Sequence, residues 1–206
     1  MKIITAEDSE SIHCATEILR SGGVVAHATE TCYGLACDLT NQNAVEKLFR
    51  IKNRPTDQPV SALFSSLDAV MGWCQFSARA LEIAKKHLPG PLTIIVPDKE
   101  GKKLFLTADG NPALEIGVRI SPHAFASGLS KAFGSPIATT SANVHGENNP
   151  YSVQDILAQF ENREHRPDLV IDSGALKKTA PSTVVRVIGE DVAVLRKGDV
   201  DCFETE

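Results

Sequence analysis

Short runs of β-branched and aliphatic residues alternate with amphipathic segments along almost the whole chain, and this alternation restricts the fold more than any other feature. Residues Ser9 to Arg20 place Ile12, Ala15 and Leu19 at near-helical spacing and stop at Gly22-Gly23, residues suited to a helix end. "VVAHA" then reads as a buried strand, and "NQNAVEKLFRI" puts Val45, Leu48 and Phe49 on one helical face behind an Asn41 cap. The pattern continues through strand "PVSALF", helix "SARALEIAKKHL", the turn "PGP", strands "LTIIV" and "IGVRI", helix "HAFASGLSKAF" and strand "PIATT". Helix "SVQDILAQF", with Ser152 and Asp155 as a capping box, precedes three closing strands, "LVID", "STVVRV" and "VAVLR". Strands separated by helices predict an α/β fold: a mixed sheet flanked by helices, antiparallel where "LTIIV" meets "IGVRI" and near the C-terminus. With no internal repeat, low-complexity tract or linker, the 206 residues read as one domain, 1–206. A chain of that length buries roughly 70% of its unfolded surface.

Composition narrows the function classes. The opening "MKIITAEDSE" turns acidic before any apolar run, and no stretch approaches the ~20 apolar residues a bilayer span needs. Five cysteines (Cys14, Cys32, Cys37, Cys74, Cys202) without a C-x-x-C pair suit a reducing compartment, so a cytoplasmic protein is expected. A formal net charge of -5 argues against a surface built mainly to neutralise nucleic-acid phosphates, although a local basic patch is compatible with it.

The sharpest polar cluster is "KNRPTDQP", where Lys52 and Arg54 follow a helix whose last turn already carries Arg50. Proline holds the segment out of helix, and the pair reads either as a solvated helix C-terminus or as an anion site combining a point charge with a planar fork. "ATTSAN", residues 138–143, ends a strand in hydroxyl and amide side chains, as a simple turn also would. The same chemistry recurs in "ATET" and "APSTVV", which points to a ligand site shared at one end of the sheet. Arg119 inside "IGVRIS" and Arg196 in "VLRKG" are strand charges that need water or an anion as partner.

Other chemistries find less support. His27 near Cys32 hints at an activated thiol, but no cysteine-hydrolase spacing accompanies it, and buried free cysteine is common. Six histidines include no H-x-x-x-H pair, and neither G-x-G-x-x-G nor G-x-x-x-x-G-K-[ST] occurs. A nucleotide site would therefore be of another design.

Taken together, "GGVVAHATETCYGLACD", "KNRPTDQP", "LPGPLTIIV", "GVRIS", "PIATTSAN", "PSTVV" and "VLRKG" occur in the order and spacing of the YrdC-like family, from about residue 22 to residue 198. K-x-R followed far downstream by S-x-N is its most specific signature. The resemblance implies a strongly twisted sheet with a concave, basic cavity. It also implies a nucleotidyltransferase reaction in which L-threonine, bicarbonate and ATP give threonylcarbamoyl-adenylate and pyrophosphate. Other proteins would use that product to modify the adenosine beside the tRNA anticodon.

By motif position, the resemblance assigns Lys52, Arg54, Ser141 and Asn143 to catalysis and, with Gln58 and Arg196, to ATP binding. Thr31, Arg119, Thr139 and Ser182 would line the threonine side, with Thr29 and Glu30 shaping the cavity mouth. Mg²⁺ would accompany ATP through its phosphates, with no dedicated protein cage. The chain departs from the family pattern at Ala28, which is usually proline, and at Gln58, often asparagine. It departs again at Leu63, a threonine-contacting histidine in longer members.

Two other readings stay open. One is an RNA-binding paralogue touching tRNA or double-stranded RNA, with Lys177-Lys178 and Arg196-Lys197 as a local patch. Such paralogues typically lose K-x-R and S-x-N, which are intact here. The other is a carbamoyl-transfer module like the related domain of hydrogenase-maturation proteins, whose companion regions are absent from this sequence.

Overall fold

The computed structural model describes residues 1–101, 104–111 and 113–202. In chain order its elements begin with β1 (Lys2–Thr5), α1 (Ser11–Arg20), β2 (Val25–Ala28), β3 (Tyr33–Ala36), α2 (Gln42–Lys52) and β4 (Ser61–Leu63). Next come α3 (Leu67–Met71), α4 (Ala78–His87), β5 (Leu92–Pro97), β6 (Glu115–Arg119) and α5 (Ala124–Phe133). The last are β7 (Ile137–Ser141), α6 (Val153–Phe160), β8 (Leu169–Asp172), β9 (Thr183–Ile188) and β10 (Asp191–Arg196).

The ten strands among the described residues join one sheet in the order β1-β8-β2-β3-β7-β4-β6-β5-β9-β10. The expected antiparallel pairs are present, with Ile94 opposite Val118 in β5/β6 and Val192 opposite Val187 in β9/β10. Parallel pairs β1/β8, β2/β8, β4/β6 and β5/β9 make the sheet mixed. This is the expected single-domain α/β architecture with flanking helices.

Three elements escape the sequence pattern. β1 is four residues with no fully buried position, so it shows no apolar run. β3 is fully buried but contains Gly34 and follows the polar turn Thr29–Cys32, which together mask its strand character. α3 is a five-residue helix, too short for periodicity, started by Ser66 accepting from the Ala69 amide.

Local signals decide the ends that matter for the site. Asn41 caps α2 by accepting from the amides of Asn43 and Ala44, and Asn53 ends it in the left-handed region at φ 51°. Asn tolerates that conformation better than most residues, and the chain turns off abruptly between Lys52 and Arg54. Ser152 and Asp155 form the expected capping box at α6. Asp168 ties α2 to the sheet by accepting from the Val24 amide (2.7 Å) and from Lys47 Nζ (2.8 and 2.7 Å).

Alternation in the central strands separates two surfaces. Leu92, Ile94, Val96, Ile116 and Val118 point into the main core with α2, α4 and α6 residues. A second cluster packs Val25, Leu63, Ile137 and Leu169 against α1 and α5. Thr93, Ile95, Gly117 and Arg119, at the intervening positions of β5 and β6, line a cavity instead. All five cysteines are free thiols, and no helix among the described residues is long and apolar enough to cross a membrane.

Candidate functional site

The cavity has a volume of about 420 Å³ and lies on the face of the sheet. Its floor is built from alternate residues: Thr93 and Ile95 of β5, Gly117 and Arg119 of β6, Thr139 and Ser141 of β7. The sequence reading placed the shared site at one end of the strands; the period of two carries it inward along their faces. Two glycines keep the floor open. A Cβ at Gly34 would lie 3.1 Å from the Thr140 carbonyl, and one at Gly117 would lie 3.1 Å from Ser61 Oγ.

Eight expected residues meet on this wall: Thr29, Thr31, Arg54, Arg119, Thr139, Ser141, Ser182 and Arg196. They come from the β2–β3 turn, the segment after α2, the ends of β6 and β10, the middle and end of β7, and the residue before β9. Arg54 is braced by donating from Nε to the Gln58 carbonyl and from Nη2 to the Pro59 carbonyl, both at 3.0 Å. Arg196 donates from Nε to the Ser182 carbonyl (2.9 Å) and from Nη2 to Ser182 Oγ (2.8 Å), and Ser182 Oγ lies 3.2 Å from Thr93 Oγ1. Arg196 and Ser182, assigned to different substrates, thus form one hydrogen-bonded unit. Burial, and for Arg196 also the neighbouring Arg119, pull both guanidinium groups below the usual arginine range.

Lys52 and Asn143 stand behind the wall. Lys52 is 2% exposed, and its ammonium donates to the carbonyls of Ser141 (2.5 Å) and Asn143 (2.9 Å) and to Asn143 Oδ1 (3.1 Å). Ser141 Oγ donates to the same Oδ1 at 2.5 Å, and Asn143 Nδ2 donates to the Glu147 carbonyl at 2.6 Å. The K-x-R and S-x-N signatures therefore meet as a closed knot that presents Ser141 and Arg54 to the cavity. Burial, then the charge of Arg54, pull Lys52 down to about 7 from 10.5.

Gln58 contributes only its carbonyl here, and its side chain is exposed and off the cavity wall. Leu63 is 1% exposed and packs in the second cluster, while Ala28 is buried in the main core. Neither lines the cavity. His27 and Cys32 make no dyad: His27 Nδ1 bonds the Ala28 carbonyl (2.9 Å), its Nε2 has no partner, and burial pushes the Cys32 thiol up.

Arg119, expected to need water or an anion, has a protein carboxylate: its Nη2 donates to Glu30 Oε1. The cavity also has walls that the sequence patterns announced only at Pro181, in "APSTVV". Residues 173–182 have no regular structure and link β8 to β9, which lie near opposite ends of the sheet order. This strap is pinned where Thr179 Oγ1 donates to the Thr31 carbonyl (3.1 Å) and the Leu176 amide donates to the Tyr151 carbonyl (2.7 Å). Thr179, Pro181 and Tyr151 close the cavity from that side. On the floor, Thr93 was a legible signal, a hydroxyl inside an apolar strand.

The sequence model of the Sua5, YciO and YrdC proteins, described as "Telomere recombination", matches residues 17–198. The chain belongs to the Sua5/YciO/YrdC family. A Methanocaldococcus jannaschii protein named "Putative threonylcarbamoyl-AMP synthase" is 32% identical over 182 residues, 88% of this chain and 82% of its own. Crystalline P. abyssi Sua5 in complex with L-threonine superposes with a TM-score of 0.84 at 29% identity, covering 96% of this chain. E. coli YciO gives 0.82 at 26%, covering 98% of this chain and 96% of YciO. This member of the family spans only 57% of the P. abyssi Sua5 chain.

Proposed function

We propose that the chain is an L-threonylcarbamoyladenylate synthase: a carbamate made from L-threonine and bicarbonate attacks the α-phosphate of ATP, releasing pyrophosphate. One observation carries this reading: cations and hydroxyls from six separate places along the chain converge on one cavity, in a fold shared with a threonine-bound Sua5. Such a reaction needs positioned charge more than a covalent nucleophile. The raised Cys32 pKa, which keeps that thiol protonated, is consistent with this.

Arg54 and Arg196 would neutralise the triphosphate, with Ser141 donating to it and Lys52 adding positive potential from behind the wall. Arg119 would take the threonine carboxylate, and Thr31, Thr139 and Ser182 its remaining polar groups. Among the described residues no group of three or more His, Cys, Asp or Glu side chains could hold a metal ion. Glu115, on the cavity wall, is engaged by Arg186 at 2.6 Å. Mg²⁺ would arrive on the oxygens of ATP. The product would pass to cytoplasmic proteins that transfer the threonylcarbamoyl group to tRNA.

Calorimetric titration separates this from a carbamoyl-transfer role. Binding of L-threonine, tightened by ATP, is expected; binding of carbamoyl phosphate with none of threonine would overturn the assignment. Arg54→Ala should raise the KM for ATP at least tenfold, and an unchanged KM would remove Arg54 from the phosphate site.

A further inference from the structure

Arg119 ends β6 with 8% of its surface exposed, so its guanidinium needs a counter-charge. Glu30 supplies it from the turn between β2 and β3, a turn held by the Thr29 amide (3.0 Å) and Thr29 Oγ1 (2.8 Å), both donating to the Cys32 carbonyl. In the sheet order β7 and β4 lie between β3 and β6, so the ion pair spans two intervening strands. Glu30 does not grip the guanidinium with both oxygens. One accepts from Arg119 Nη2 and the other from Ser121 Oγ. Ser121 Oγ in turn accepts from the His123 amide at 3.2 Å, which ties the carboxylate to the start of α5.

This division leaves Arg119 Nε buried with no partner in a residue that lines the cavity. A guanidinium pairs best with a carboxylate when its orientation is fixed, and the chain from Ser121 through Glu30 to Nη2 fixes this one. We propose that Glu30 is the positioning residue for recognition of the amino-acid carboxylate. It holds Arg119 through Nη2 and is itself fixed by Ser121, so that the guanidinium keeps its place on the cavity wall for the substrate carboxylate. The inference rests on the threonine reading above. Glu30 itself touches no reacting atom and acts through Arg119.

The test is titration and steady-state kinetics on the full chain carrying Glu30→Gln, which keeps the side-chain shape and removes its charge. The affinity and KM for L-threonine should weaken about tenfold while the KM for ATP moves less than about twofold. Ser121→Ala, a smaller change that keeps the ion pair, should move threonine in the same direction by about threefold. In an Arg119→Lys background, Glu30→Gln should have no further effect on threonine. A Glu30→Gln chain that binds threonine as the wild type does would overturn the proposal alone. So would equal losses for both substrates, or a full additive loss in the Arg119→Lys background. A wild type that binds no threonine would overturn the substrate reading and this inference with it.

Discussion

His27 is fully buried on β2, with its ring 6.0 Å from that of Phe125. Burial, assisted by the nearby His123 and opposed by the Ala28 carbonyl, pulls its pKa down from 6.5 to about 4. Above pH 6.5 the ring is neutral in folded and unfolded chains alike. Between pH 6.5 and 4 the unfolded chain takes up a proton that the folded chain refuses, so stability rises with pH and is lost on acidification. A gap of 6.5 to 4 corresponds to about 3 kcal/mol lost by pH 4 and about 2 kcal/mol by pH 5. Replacement by leucine removes the titrating ring and keeps an apolar side chain against Phe125. Urea unfolding of wild type and His27→Leu between pH 7.5 and 4 isolates the effect, because carboxylate titration common to both cancels in the difference. The variant should gain on the wild type by roughly 1.5 M in midpoint at pH 4, for a slope of about 2 kcal/mol per M. A difference independent of pH would refute the argument that burial keeps His27 neutral.

Three further perturbations follow from the geometry. Lys52→Met removes the shared donor of the Ser141 and Asn143 carbonyls and leaves Asn143 Oδ1 with Ser141 Oγ alone; after relief of the buried charge it should cost about 2–4 kcal/mol, or roughly 5–15 °C in calorimetric Tm, and an unchanged Tm would contradict the knot. Tyr33→Phe removes a hydroxyl that donates to the Gly174 carbonyl (2.8 Å) and accepts from the Ser173 amide (2.9 Å). Trypsin should then nick the strap after Lys177 or Lys178 several-fold faster, and equal rates would mean the strap is anchored elsewhere. Thr31→Val should weaken L-threonine about five- to tenfold and ATP less than about twofold; equal loss for both would remove Thr31 from the threonine side.

Much of the fold was legible because its signals are local. Asn41, the capping box at Ser152 and the alternation in "LTIIV" each act within a few residues, and each is where the pattern put it. Thr31, Arg54, Arg119, Thr139, Ser141, Ser182 and Arg196 were legible as chemistry out of place in a strand or after a helix. What the sequence withholds is pairing across distance. Nothing in "ATET" says that Glu30 will reach Arg119, nor in "KNR" that Lys52 will turn inward to the S-x-N carbonyls instead of outward to a phosphate. The strap from Ser173 to Ser182 carries no periodicity, so its crossing of the cavity depends on the placement of β8 and β9 in the sheet, which only the tertiary fold fixes.

Pyrophosphate release from ATP by the purified chain, with Mg²⁺ and bicarbonate and with or without L-threonine, tests the central claim most directly. The account predicts release that depends on threonine, together with the mass of threonylcarbamoyl-adenylate in the quenched mixture. Folded protein that releases no pyrophosphate in either condition, or releases it equally without threonine, would contradict it.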